Sequence, residues 1–180
     1  MLDELVERHR KANQLLSGWR AKAELASKKA TSLDTRKSLP GFFSLNNLGI
    51  VCGKEFMDAV EALEPDVHQF IPIKLDWKDG SPTGRPSWVI NCCVRLDSVA
   101  EEHSSVHRHP KIPSQANPDL YHYRFDKGPQ KLAVHRDRVA GHAMWWDARF
   151  HGFMWSDALW EATRAAGLKG FDLIMDVAEV

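Results

Sequence analysis

The sequence predicts an α+β fold: a mixed, largely antiparallel sheet with a few short helices and an N-terminal amphipathic helix. Three observations carry this expectation. Val67 to Leu75 alternates, with Val67, Ile71, Ile73 and Leu75 on one face and His68, Phe70 and Lys74 on the other, the period of a half-buried strand. The last third reads as strand, glycine turn, Trp-rich hairpin, capped helix, glycine stop and closing strand. Its markers are Asp137, Gly141, Trp145-Trp146-Asp147, Gly152, Ser156-Asp157, Gly167 and Gly170-Phe171. At the other end, Leu5, His9, Ala12, Leu16, Trp19, Ala23, Ala26 and Ala30 recur at steps of three and four, one stripe of a helix over 3–30. Lys28 and Lys29 suit its C-terminus.

Residues 31–41 are polar and end in Pro40-Gly41. They place a boundary between an N-terminal helical segment and linker, 1–38, and an α+β domain, 39–180. Phe42 to Val51 is mixed, with Asn46-Asn47 as a turn. Lys54 to Glu64 reads as a helix with Phe56, Met57, Val60 and Leu63 on one face, stopped by Pro65. Pro72 marks the strand around it as an edge, and Lys78-Asp79-Gly80-Ser81-Pro82 is a turn. Ser87 to Val94 is apolar on both faces and so central. Residues 97–118, with His103, His107, His109, Pro110, Pro113 and Pro118, read as a surface loop of about 20 residues.

Leu120 to Phe125 and Lys131 to His135 are strands around the turn Asp126-Lys127-Gly128-Pro129. Ala143 to Trp146 and Phe153 to Trp155 form a hairpin across Asp147–Gly152. Ser156 caps a helix over 157–166, with Gly167 at its end and Leu168 placed for the accompanying apolar contact. Phe171 to Val177 alternates again and closes the sheet. No internal repeat is present.

Composition narrows the function classes. A chain of 180 residues buries enough surface to be stable without disulfide or metal. The net charge of zero at pH 7 points away from nucleic acid and anionic membranes. Cys52, Cys92 and Cys93 form no spaced framework, the N-terminus has no apolar signal core, and no stretch approaches a membrane span, so a cytoplasmic protein is expected. Seven tryptophans are unusual, and most should fill the core. Adjacent Trp145 and Trp146 cannot both face inward from one strand, so one of them is expected at the surface or in a second interface.

No residue pattern specifies catalysis. His103, His107 and His109 could hold a metal for a hydrolase, but no carboxylate or cysteine completes a known spacing and Arg108 would repel a cation. Cys52 precedes a helix, whose N-terminus lowers a thiol pKa, and any histidine could partner it as a nucleophile. Glu101-Glu102, Asp76/Asp79 and Asp172/Asp176 sit where surface acids sit. Gly167-Leu168-Lys169-Gly170 ends a helix rather than opening one, the wrong polarity for phosphate. No catalytic residue, metal or cofactor is assigned. The hairpin turn, with Trp146, Asp147, Arg149, Phe150 and His151, has the aromatic-plus-Arg composition of an interface centre.

Several segments together resemble the bacterial immunity protein 11 family, long catalogued only as a domain of unknown function. They are Val67-His68-Gln69-Phe70-Ile71-Pro72-Ile73, Asp79-Gly80, Trp88-Val89-Ile90-Asn91, Leu96-Asp97 with Ser104 or Ser105, Gly141 with Trp145 or Trp146 and Asp147, Phe153, Ser156-Asp157 with Leu159, and Ala166-Gly167-Leu168-Lys169-Gly170-Phe171. The resemblance covers roughly 45–176. It implies a cytoplasmic immunity protein of a polymorphic toxin system, which binds a cognate toxin domain and neutralises it by occlusion, without turnover. It carries over no catalytic residues. The shared residues read as fold determinants, Gly141, Gly167 and Gly170 for backbone geometry, Ser156 for capping, Asn91 and Asp97 for turns or buried hydrogen bonds. The chain departs from the family by the loop 103–118 and the Ala-rich helix 3–30, and either could carry partner specificity. Expected toxin contacts are Trp77, Asp79, Tyr121, Tyr123, Trp146, Arg149 and His151, and a homodimer is left open. The alternatives are a metal-dependent hydrolase using His103, His107 and His109, or an adaptor pairing through helix 3–30.

Overall fold

The computed structural model describes residues 29–31, 39–45, 49–110, 121–169 and 175–180. Residues 3–28 of the helix expected over 3–30 lie outside them, as do Phe171 and Leu173 of the expected closing strand. The described residues form an α+β protein with mostly antiparallel pairing, divided among four sheets rather than gathered in one.

The largest sheet has five strands in the order β1-β4-β5-β3-β2: β1 (Lys29–Thr31), β2 (Phe42–Leu45), β3 (Gly49–Cys52), β4 (Gln69–Asp76) and β5 (Ser87–Asn91). Strand β5 sits in the middle, as its two apolar faces require. Its register decides which side chains share a face. Ile71, Val89 and Val51 stand in line and bury with Ile73 and Leu75 on one side. On the other, Phe70, Ile90 and Ile50 stand in line beneath helix α1 (Lys54–Leu63) and helix α3 (Asp157–Ala165). Helix α1 buries Phe56 and Val60 there, while Leu63, expected on the same face, is exposed.

Two expectations in this sheet are corrected. Lys29–Thr31, the last two residues of the helix expected over 3–30 and the first of the expected linker, is a strand parallel to β4. Strand β4 is therefore not an edge. Strand β1 pairs only with Lys74–Asp76, so around Pro72 the described pairing is one-sided, with β5, and a missing N–H is tolerated. The turn after β4 is as expected: Gly80, at φ +83°, donates to the Trp77 carbonyl, and Asp79 accepts from the Ser81 amide and hydroxyl.

A second layer contains β6 (Arg95–Leu96), β7 (Val106–Pro110), β8 (Tyr121–Phe125), β9 (Leu132–Val134), the short helix α2 (Arg136–Val139), β10 (Met144–Asp147), β11 (Phe153–Trp155) and β12 (Val177–Glu179). The expected hairpin is β10 with β11, pairing Met144 with Trp155 and Trp146 with Phe153. Strand β6 joins β10 in parallel, β12 joins β9 in parallel, and β7 pairs with β8. The expected loop over 97–118 is thus corrected in part: Glu101–His103 is a 3₁₀ turn and Val106–Pro110 is a strand. The pairing with β8 imposes that strand on a stretch with one aliphatic residue.

Helix α3 starts and stops as its sequence specifies. The Ser156 hydroxyl accepts from the Leu159 amide at 3.2 Å. At the other end Gly167 takes φ +68°, its amide bonds the Arg164 carbonyl, and the Leu168 amide bonds Thr163. Leu168 then packs into the core against Gly41, where a Cβ would collide with it. No helix among the described residues is long and apolar enough to cross a membrane.

Candidate recognition site

Strand β10 lies between two cores. Trp145 is buried with Val94, Val99, Val134 and Tyr123, while Met144 and Trp146 face the cluster under α1 and α3. The alternation of a strand thus serves a second interior cluster, and Trp146, half-buried edge-on against Phe153, is the residue of the second interface.

The turn that follows β10 is held by Asp147, whose carboxylate is fully buried. One oxygen accepts from the Ser98 amide (2.8 Å), the Ser98 hydroxyl (2.7 Å) and the Val99 amide (3.3 Å). The other accepts from the amides of Arg149 (2.9 Å) and Phe150 (2.6 Å). The Trp145 indole donates to the same Ser98 hydroxyl at 3.0 Å. The turn closes with His151 at φ +59°. Its Arg149 carbonyl accepts from the Tyr123 amide of β8 at 2.9 Å, so turn and hairpin are joined.

On that joint stands an Arg/Tyr cluster. The guanidiniums of Arg149 and Arg108 lie 4.3 Å and 4.7 Å from the centre of the Tyr121 ring. Arg149 also meets Asp97 at 3.4 Å, and Arg108 meets Glu101 at 2.7 Å. Tyr123 is buried beside Tyr121, its hydroxyl 3.3 Å from Glu101. Burial first, then the hydrogen bond its hydroxyl donates to Tyr121 and the negative charges of Glu101 and Asp97, push the Tyr123 phenol well above its ordinary pKa. On the opposite face of the β7–β8 hairpin, the rings of His109, His122 and His151 follow one another at 5.1 Å and 5.9 Å.

Of the expected contacts, Tyr121, Tyr123 and Arg149 are brought together, while the His151 ring meets His122 on the opposite face of the hairpin. Trp77 and Asp79 lie in the β4–β5 turn, where hydrogen bonds from the Ser81 hydroxyl and amide hold the Asp79 carboxyl below its usual range. Trp146 points into the second core. Arg108, Glu101 and Asp97 belong to the cluster and were not expected there. Their one local signal is the alternation of Val106-His107-Arg108-His109, which puts Arg108 on the face opposite the histidines.

The proposed metal ligands His103, His107 and His109 are not brought into one donor set. His107 pairs with Asp126 at 2.8 Å, His109 stacks on His122, and His103 lies 4.0 Å from Glu102. Among the described residues no three His, Cys, Asp or Glu are arranged to hold a metal ion. The activated Cys52 is corrected as well: it is fully buried at the end of β3, and desolvation pushes its thiol up to about 12 despite Arg85 nearby.

A second buried polar node was not visible in the sequence. Glu64, just after α1, accepts from His68 Nε2 (2.9 Å), His142 Nδ1 (2.9 Å) and the Met144 amide (3.1 Å). The Cys93 amide donates to His68 Nδ1 at 3.3 Å, which leaves the ring proton on Nε2, facing Glu64. Burial raises the Glu64 pKa, but the bonds from His68, His142 and the Ala143 and Met144 amides outweigh it and hold the group below its ordinary value.

Fold and site together define a small α+β protein carrying a partly exposed Arg/Tyr surface on a rigid, doubly tied turn. Over residues 28–177 the sequence matches the Immunity protein family (Imm11), and the chain belongs to that family. The match begins ahead of β1, earlier than the resemblance near residue 45 indicates. No curated protein matches the sequence.

Proposed function

We propose that this chain binds a cognate toxin protein in the cytoplasm and neutralises it by covering it, without turnover. Family membership supports a toxin as the partner. The observation that carries the choice of surface is Tyr121 with the guanidiniums of Arg149 and Arg108 against it. Tyr and Arg are among the residues most enriched where interfaces draw their energy, and here the two guanidiniums already lie against the Tyr121 ring. The contact centre is Tyr121, Arg149 and Arg108, with Tyr123 supporting from beneath. An interface of standard size, about 1,600 Å², would extend over the β7–β8 hairpin and the β10–β11 turn.

The test is co-expression with the toxin domain encoded immediately upstream. A stable complex is expected, weakened about 30-fold by Tyr121→Ala or Arg149→Ala. Failure of all neighbouring candidate toxins to bind would sink the reading.

A further inference from the structure

The Arg149 side chain reaches Asp97 and the Tyr121 ring from a turn whose backbone is itself tied down. Its ion pair with Asp97 spans 3.4 Å at a partly exposed rim, and such pairs order little by themselves. What fixes both partners is the backbone on which they stand. Asp97 immediately precedes Ser98 and Val99, and Arg149 precedes Phe150; the amides of Ser98, Val99, Arg149 and Phe150 all donate to one carboxylate, that of Asp147. The Tyr123 amide in turn docks on the Arg149 carbonyl, so the same anchor sets the height of the hairpin strand carrying Tyr121. Four backbone amides and the Ser98 hydroxyl donate to Asp147, and the group is fully shielded from solvent.

We infer that Asp147 is the positioning residue of the Arg149–Tyr121 surface: it joins the Asp97–Val99 segment to the Arg149–Phe150 turn and presents Arg149 pre-ordered, without itself touching the partner. This rests on the surface proposed above for toxin binding. Pre-ordering matters because a loop that must be ordered on binding subtracts from affinity. An asparagine would keep the size of Asp147 but turn one acceptor oxygen into a donor facing donors.

The experiment uses the full chain. Hydrogen exchange is followed residue by residue in Asp147→Asn, together with the Arg149 Nε–H resonance. The expected result is about tenfold faster exchange at Ser98, Val99, Tyr123, Arg149 and Phe150 and a shift of the Arg149 resonance to its solvent-exposed position, with β4 and β5 protection kept. Unchanged exchange at those amides, or an equal loss throughout β4 and β5, overturns the inference. A binding cycle follows, with the toxin domain encoded immediately upstream as the probe. Asp147→Asn added to Arg149→Ala should weaken binding little further, whereas full additivity overturns the positioning role. If Arg149→Ala alone binds like the wild type, the surface proposed for the toxin is wrong, and the exchange data alone decide the role of Asp147. Should Asp147→Asn not fold, Ser98→Ala removes one hydroxyl donor and should loosen the same five amides to a smaller degree.

Discussion

Strand β10 is gripped at each end by a buried carboxylate, and the two grips differ in what donates to them. At its start, Glu64 takes the Met144 amide and two imidazoles, from His68 and His142. At its end, Asp147 takes four backbone amides and a serine hydroxyl. Both solve the same problem, since a buried carboxylate must be fully hydrogen-bonded to be tolerated. They do different things to the molecule. Glu64 ties α1, the start of β4 and the start of β10 through side chains that can change protonation. Asp147 fastens main chain to main chain through groups that cannot, and the loop it fastens carries the exposed arginine. The rigid grip lies under the recognition surface and the titratable one lies in the core.

The largest effect that could break this contrast is Asp147→Ala. Removing the acceptor takes the partner from four amides, two of them on the buried residues Ser98 and Val99, and about 4 kcal/mol of stability should be lost in urea unfolding. A loss under about 1 kcal/mol would mean that water or local relaxation replaces the carboxylate readily, and the grip would not be what fixes the turn.

Glu64→Gln should cost less, about 2–3 kcal/mol, since the amide keeps one acceptor oxygen. It should also flatten the acid side of the stability profile. The native pKa of Glu64 lies below its ordinary value, so its carboxylate contributes fully above about pH 4.5 and the contribution fades as pH falls through the lowered native value. The difference in unfolding free energy between wild type and Glu64→Gln should therefore shrink from about pH 5 to about pH 3. A constant difference across that range would show that the carboxylate is not held ionised by its imidazole and amide donors.

Smaller changes sharpen the comparison. Ser156→Ala removes a single side chain-to-amide bond at the start of α3 and should lower stability by about 1 kcal/mol, a scale for one bond of the kind Asp147 makes several times over. Arg149→Ala should change unfolding free energy by less than about 1 kcal/mol, because its ion pair and ring contact are partly solvated. Its effect belongs to toxin binding. A large stability loss would make Arg149 a structural residue instead.

The difference between the two grips also explains what could be read in advance. Asp147 bonds amides two and three residues ahead, a local arrangement, but the sequence offered it only as part of an interface-like turn, because its burial depends on the distant Ser98 and Val99. Ser156 and Gly167 are equally local, and α3 was legible from them. Glu64 reads in the sequence only as the last residue of a helix, because its partners are brought to it from the starts of β4 and β10 by packing. Strand β7 was hidden for a related reason. Val106-His107-Arg108-His109-Pro110 holds too few apolar residues for a period to show, and it is a strand because β8 offers it a ladder. Arg108 was weighed only as an obstacle to metal binding, while its actual neighbour, Tyr121, is 13 positions away and reachable only once β7 and β8 pair.

The alternation of β4 and β5, the cap and stop of α3, the β10–β11 hairpin and the family itself were written in the order of the residues, because each depends on neighbours a few positions apart or on a run of short motifs. Which aromatics and arginines meet, which carboxylates are buried, and that Trp146 turns inward while Arg149 reaches solvent were settled by the meeting of distant segments. Such meetings are selected by the burial of two separate cores, and no window along the chain contains that information.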